Sequence, residues 1–182
     1  MLDCAASLTG RDAVQALRSA IEPFDGRSIT LLGEAEKRFG EDPAYIDALI
    51  DLLADDAAMI PSGASWLLKA ALERGETLTP PQSTRLARAA VRLSEWSASL
   101  HILQSLSYWQ VMDEDADALA GWAGQCMESP RPFVRAWAMD ALCRMAGQFD
   151  RFSDRAKAAH AAGLDDKAAS VRARARRITP PE

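Results

Sequence analysis

The sequence has few of the residues that bind metals or form disulfides. Its 182 residues include three cysteines and two histidines. Cys4, Cys126 and Cys143 are odd in number and irregularly spaced, so they predict neither a disulfide framework nor a paired thiolate metal site. His101 and His160 are too few and too far apart for an ordinary zinc site. We therefore expect no cofactor, no metal and a reducing, cytoplasmic location.

Long apolar runs and known catalytic motifs are also missing. No stretch approaches the about 20 apolar residues that a membrane-spanning helix needs. Asp3, Arg11 and Asp12 interrupt the segment in which a signal peptide would have its apolar region. Neither a P-loop, a glycine-rich dinucleotide motif, a serine-hydrolase elbow nor a zinc-protease motif occurs. The sequence therefore predicts a protein that is not an enzyme and does not enter a membrane.

Charge of one sign is scarce at each end of the chain. The formal net charge is −5. Residues 1–60 carry 12 acids and 5 bases, whereas residues 121–182 carry 7 acids and 11 bases. We expect an acidic end and a basic end, and an overall balance that disfavours non-specific nucleic-acid binding, which depends on basic surfaces.

Alanine, leucine and arginine are abundant, and they favour helix. Prolines and glycines divide the chain into segments of helix length, most with apolar residues at i, i+3, i+4 and i+7. The predicted helices cover residues 11–21, 27–39, 43–54, 62–74, 80–93, 96–109, 114–127, 132–146, 151–162 and 167–178. In the third of these, Asp47, Asp51 and Asp55 are predicted to form a solvated outer stripe, with a docking site for a basic partner as the alternative.

The chain also repeats itself. Val134 and Val171, each followed by an arginine, lie 37 residues apart. Leu72, Leu106 and Leu142 follow one another at intervals of 34 and 36 residues. A period of this length that holds two helices is typical of an α-solenoid.

One segment carries a family resemblance, to the second helix of a HEAT repeat among the armadillo-like α-solenoids. The residues that carry it are Pro132, Val134, Arg135, Ala138, Ala141 and Leu142. The resemblance implies an all-α, right-handed α–α superhelix (HEAT-like solenoid) of about five helix pairs, with residues 1–182 as a single HEAT-like repeat domain. Val134, Ala138, Ala141 and Leu142 are expected to be buried.

The same family commonly pairs an aspartate of the turn within a repeat with the arginine after the valine of a neighbouring repeat. Asp166 stands at the aspartate position of the fifth helix pair, but Ser129 stands there in the fourth. The resemblance therefore implies an incomplete ladder of such ion pairs.

Second helices of HEAT-like stacks usually line the concave face. Taking Ala64, Ala98, Val134 and Val171 as equivalent core positions predicts which side chains face outward. The predicted partner-binding residues are Trp66, Lys69, Leu103, Gln104, Arg135, Met139, Arg172 and Arg176. Tryptophan and arginine are frequent anchors of protein interfaces; the alternative is that Leu100, Leu103 and Met139 belong to the core. We expect an adaptor or scaffold that binds a protein or peptide partner, as a monomer or weak homo-oligomer, without nucleic acid or membrane.

A second resemblance gives the alternative function. The run from Trp109 to Asp113, followed by Trp122 and the Phe133–Arg135 segment, is similar to part of the HEAT-like alkylpurine DNA glycosylases. In that family a tryptophan and an aspartate line a groove, and an aromatic-x-Arg-Arg segment contacts DNA. Such a carboxylate would stabilise the positive charge that develops on the sugar as a damaged base leaves. Here Ala136 replaces the second arginine. DNA binding or repair is therefore the alternative to partner binding.

Overall fold

The computed structural model describes residues 10–179, so Asp3 and Cys4 lie outside the described residues. Within this range the chain is all-helical, without a strand. The α-helices are α1 Gly10–Ile21, α2 Ile29–Phe39, α3 Tyr45–Leu52, α4 Met59–Glu73, α5 Pro80–Ala90, α6 Trp96–Ser105, α7 Asp113–Cys126, α8 Pro132–Gln148, α9 Ser153–Leu164 and α10 Ala169–Ala175. Each predicted segment overlaps one of these helices, so the all-α class is confirmed.

Local chemistry explains several helix ends. Thr79 caps α5 in a reciprocal capping box with Gln82, and a proline occupies the first turn, where its missing N–H is not needed. The Glu95 carboxylate caps α6 by accepting the backbone N–H groups of Ser97 and Ala98. Gly75 has a φ of +105° just after α4, a backbone conformation that a Cβ disfavours. These signals set the ends of the helices that border the candidate site.

The helices alternate between two layers. The even-numbered helices pack in succession, α4 on α6, α6 on α8 and α8 on α10. The odd-numbered helices do the same from α1 to α7, whereas α9 packs on α8 and α10. This packing is consistent with a helical repeat.

Two arginine clamps have the same sequence spacing: one joins α5 to α3, and the other joins the short turn before α9 to α7. Arg85 pairs with Asp47 and with Asp51, which lie 38 and 34 residues before it. Arg151 pairs with Asp113, at 2.6 Å from Nη1 to Oδ1, and with Asp117, again 38 and 34 residues before it.

The expectation of a solvated acidic stripe holds for Asp47 and Asp51, whose side chains are 43% and 54% exposed, but not for Asp55, at 17%. Asp47 and Asp51 are bound by Arg85, and Asp55 accepts a 2.7 Å hydrogen bond from Arg18 Nε. These arginines belong to neighbouring helices, so the helical period of α3 alone could not predict the ion pairs.

The core includes the four residues of α8 that were expected to be buried. Val134, Ala138, Ala141 and Leu142 are 2%, 0%, 0% and 1% exposed, which confirms their predicted burial. Beside them Arg135 binds Asp166 bidentately, with Nε and Nη2 each 2.8 Å from a carboxylate oxygen.

The arginine after each valine also contacts the backbone of its own turn. Arg135 Nη1 donates to the Ser129 carbonyl at 2.8 Å, and Arg172 Nη1 donates to the Asp166 carbonyl at 2.6 Å. The two bonds share one sequence separation of six residues. Both turns therefore accept an arginine through a backbone carbonyl. The Asp166 turn also accepts Arg135 through its carboxylate, which Ser129 lacks.

Candidate functional site

Three of the residues predicted to face a partner do not. Leu103 and Met139 are 1% and 0% exposed, so the prediction that they are surface contacts is wrong. The physical reason is that α6 packs against both α4 and α8, and α8 against α6, α9 and α10, so each buries more of its circumference than a one-sided helix does. Arg135 is also buried, at 7% exposure, and its guanidinium is fully engaged by Asp166 and Ser129.

The other predicted contacts reach the surface to different degrees. Trp66 and Gln104 are half-buried, and Arg176 is exposed. Lys69 pairs with Glu73 of its own helix at 2.8 Å. Arg172 is half-buried, with its guanidinium on two backbone carbonyls of the preceding turn. Of these five, Trp66 lines a groove that the structure forms.

That groove, here called the aromatic groove, lies where α2, α4 and α6 begin and has a volume of about 350 Å³. Its apolar lining comprises Phe24, Ile29, Met59, Trp66, Trp96 and Leu100. Its polar lining comprises Asp25, Arg27, Ser62, Glu95, Ser97 and His101. Indole rings from two successive even-numbered helices therefore border one cleft.

Small polar groups line part of the aromatic groove. Ser62 Oγ and Ser97 Oγ lie 2.6 Å apart, and Ser97 Oγ also donates to the Glu95 carboxylate. His101 Nδ1 lies 3.0 Å from Ser65 Oγ. Burial lowers the pKa of His101 to about 4, so the imidazole is neutral at pH 7. The aromatic groove therefore offers neutral hydrogen-bonding groups beside the charged side chains of its lining.

The Ser65–His101 pair is not arranged for nucleophilic attack. Ser65 is 0% exposed, and its hydroxyl donates to the Ser62 carbonyl at 3.0 Å. A nucleophile needs an open approach to its substrate together with a base that takes its proton. Here the Ser65 hydroxyl donates its hydrogen to a backbone carbonyl of its own helix, and no substrate can approach it.

A second feature, which we call the apolar row, was missed from the sequence. Four successive even-numbered helices each expose one large apolar side chain at their first or second residue. These are Ile29 of α2, Met59 of α4, Trp96 of α6 and Phe133 of α8, at 55%, 37%, 43% and 63% exposure. The signal in the sequence is an apolar residue at each helix start, at intervals of 30 to 37 residues.

Trp96 belongs to the apolar row and borders two grooves. It lines both the aromatic groove and a smaller groove of about 260 Å³, which Trp122 and Val134 also line. The Arg131 guanidinium carbon lies 3.9 Å from the centre of a Trp96 ring, a cation–π contact that joins the start of α8 to the start of α6. Trp96 is therefore held in place while 43% of it stays exposed.

A third groove, of about 610 Å³, lies between α3 and α5. Its charged lining comprises Asp51, Asp55, Asp56, Arg85, Arg88, Arg92 and Glu95. Acids and arginines face each other across it, and Arg85 already pairs with Asp51 at 2.5 Å. Most of its charge is therefore compensated within the protein.

The residues of the glycosylase resemblance do not assemble around a common groove. Trp109 and Trp122 are 6% and 5% exposed, and Trp109 Nε1 donates to Ser105 Oγ at 3.2 Å. Asp113 is exposed, but Arg151 holds its carboxylate. Phe133 is the exposed aromatic residue of the set.

Comparisons with known proteins leave the family open. No protein-family model matches the chain, and no curated protein or solved structure is similar to it. Among the described residues, no helix has the length and apolarity needed to cross a bilayer, and no three metal-ligating side chains form a metal-binding group.

Proposed function

We propose that this chain is a HEAT-like, right-handed superhelix of about five helix pairs that acts as a non-enzymatic adaptor or scaffold in the cytoplasm. Its partner is a protein or peptide, bound along the surface where the even-numbered helices begin. Two regularities support the repeat architecture. Even-numbered helices pack in succession, and the Arg85 and Arg151 clamps span identical separations.

The apolar row is the observation that carries the proposal. Large apolar side chains of soluble proteins are normally exposed singly, and aligned exposed ones mark contact surfaces. Here one occurs on each of four successive even-numbered helices, beside a groove that adds a second indole, that of Trp66. Tryptophan and other aromatic side chains contribute most of the binding energy at many interfaces. Trp66 therefore remains a predicted contact, joined now by Trp96 and Phe133.

The layer spacing suggests the form of the partner. Packed helices lie about 8–10 Å apart, so neighbouring members of the apolar row are separated by roughly that distance. Residues i and i+7 of an α-helix are separated by about 10.5 Å along its axis. A partner helix with an apolar side chain every seven residues would thus meet one member of the apolar row per layer.

The experiment is affinity capture from the native host followed by mass spectrometry. Trp96→Ser and Phe133→Ser remove members of the apolar row. Tyr108→Ser is the matched control, because Tyr108 is 45% exposed but does not belong to the row or to the three grooves above. We expect a protein that wild type and Tyr108→Ser capture and that Trp96→Ser loses, with unchanged circular dichroism. Equal capture by the Trp96→Ser, Phe133→Ser double variant would reject the proposal.

A further inference from the structure

We propose that α8 and α10 form a carboxylate-binding site for an acidic segment of the protein partner. The site, here called the arginine cluster, comprises Arg144, Arg174 and Arg177, together with Asp140 and Trp137. The inference rests on the proposed function, because it names the chemistry of one part of that partner.

A buried carboxylate holds two of the arginines. The Asp140 side chain is 3% exposed. Its Oδ1 lies 3.0 Å from Arg144 Nε, and its Oδ2 accepts Arg174 Nε at 3.0 Å and also Arg174 Nη2. Two guanidinium groups on a single carboxylate leave one net positive charge, fixed in position before any ligand arrives.

Trp137 restrains Arg174 by stacking against its guanidinium. The guanidinium carbon of Arg174 lies 3.6 Å from the centre of a Trp137 ring, and Trp137 is itself half-buried. This stacking restrains the guanidinium in a plane, which reduces the conformational entropy that a ligand must overcome. The side chains of Arg174 and Arg144 remain 27% and 41% exposed, so solvent and ligands reach both.

The charge around the cluster is not neutralised. Within residues 10–179, Arg144 pairs with no acid other than Asp140, and Arg177 pairs with none. Arg177 is exposed and lies just after α10, where its backbone N–H donates to the Arg174 carbonyl at 2.9 Å. Residues 153–179 hold seven basic side chains and three acidic ones, and Arg135 occupies one of those acids, Asp166. The surface is therefore complementary to a negatively charged ligand.

A protein carboxylate fits this cluster better than a nucleic acid does. The planar fork of arginine binds carboxylates through two parallel hydrogen bonds. Duplex DNA instead needs basic side chains along many phosphates. Here the basic surface is confined to one end of a chain of net charge −5, and the aromatic groove carries Asp25 and Glu95.

The test is a fluorescence-anisotropy titration of the full chain with a labelled hexaglutamate peptide, at about 50 and 150 mM salt, which changes the screening of exposed charges. Arg144→Gln should weaken binding about fivefold or more, because it removes a charge-assisted donor. Arg144→Lys should restore only part of that loss, since it keeps the charge but not the fork. Arg92→Gln, which removes an exposed charge from the α5–α6 connection, should bind as wild type does.

Three results would overturn the inference: no peptide binding by wild type, an equal loss in Arg92→Gln, or tighter binding of a labelled DNA duplex than of the peptide. The outcome is separable from that of the proposed function, because Trp96→Ser leaves the arginine cluster intact. Capture that depends on Trp96 without peptide binding would reject the arginine cluster alone. Peptide binding without such capture would reject the apolar row and leave the carboxylate site standing.

Discussion

Asp166→Asn should destabilise the protein in a pH-dependent way. Arg135 and Asp166 form a bidentate ion pair, with side chains only 9% and 13% exposed. The hydrogen bond from Arg135 is the main cause that lowers the Asp166 pKa from 3.8 to about 2, against the opposing effect of desolvation. Asparagine keeps an acceptor for the Ala168 N–H but removes the charge that Arg135 faces.

The magnitude follows from that pKa. Each unit of pKa difference between the folded and unfolded states corresponds to about 1.4 kcal/mol. Because the turn that carries Asp166 is partly solvated, screening reduces the full value, and we expect a loss of about 1–2 kcal/mol. The folded pKa is the lower one, so this stabilisation is present above the unfolded pKa near 4 and is lost as pH falls towards 2.

The assay is urea unfolding followed by far-UV circular dichroism, for wild type and Asp166→Asn at pH 7 and at several values below 4. The free-energy difference between the two proteins should be largest at pH 7 and shrink as the pH falls towards 2. A difference below about 0.5 kcal/mol at pH 7, the usual range of surface substitutions, would refute the reasoning. So would a difference that does not change with pH.

Two further predictions concern the core and the alternative function. Leu142→Ala should lower the free energy of unfolding by about 2–5 kcal/mol, because Leu142 is 1% exposed and its truncation leaves a cavity; a surface-like change in urea unfolding would mean that the repeat alignment is wrong. The chain should not bind duplex DNA appreciably in a gel-shift titration at about 150 mM salt, because its few basic contacts are screened there. Sub-micromolar binding, or release of an alkylated base that Asp113→Asn abolishes, would favour DNA repair instead.

Helix positions could be predicted from the sequence because their signals are local. The Thr79-Pro80 pair and the Glu95 cap mark helix starts by chemistry contained in neighbouring residues. One predicted start is wrong, because the sequence predicts a helix over 62–74 with Pro61 just before it. α4 begins at Met59, and Pro61 lies within its first turn, where a missing N–H costs little. That difference hid Met59 from the site prediction.

The candidate site could be predicted only in part, because exposure depends on neighbours distant in sequence. The helical phase of its segment predicts that Trp66 faces outward. Leu103 has the same pattern but is covered on two sides, by α4 and α8. Trp96 and Phe133, at the starts of their helices, resemble ordinary core residues in sequence but are 43% and 63% exposed. The fold places them on successive even-numbered helices, α6 and α8.

Site-specific photo-crosslinking in the native host tests the central claim most directly. A benzophenone amino acid would replace Met59, Phe133 or, as the control, Tyr108, each in an otherwise unchanged chain. The account predicts that the first two positions crosslink to the same protein, since both belong to the apolar row, and that position 108 does not. Crosslinking at position 108 as strong as at the row, or none at Met59 and Phe133, would contradict it.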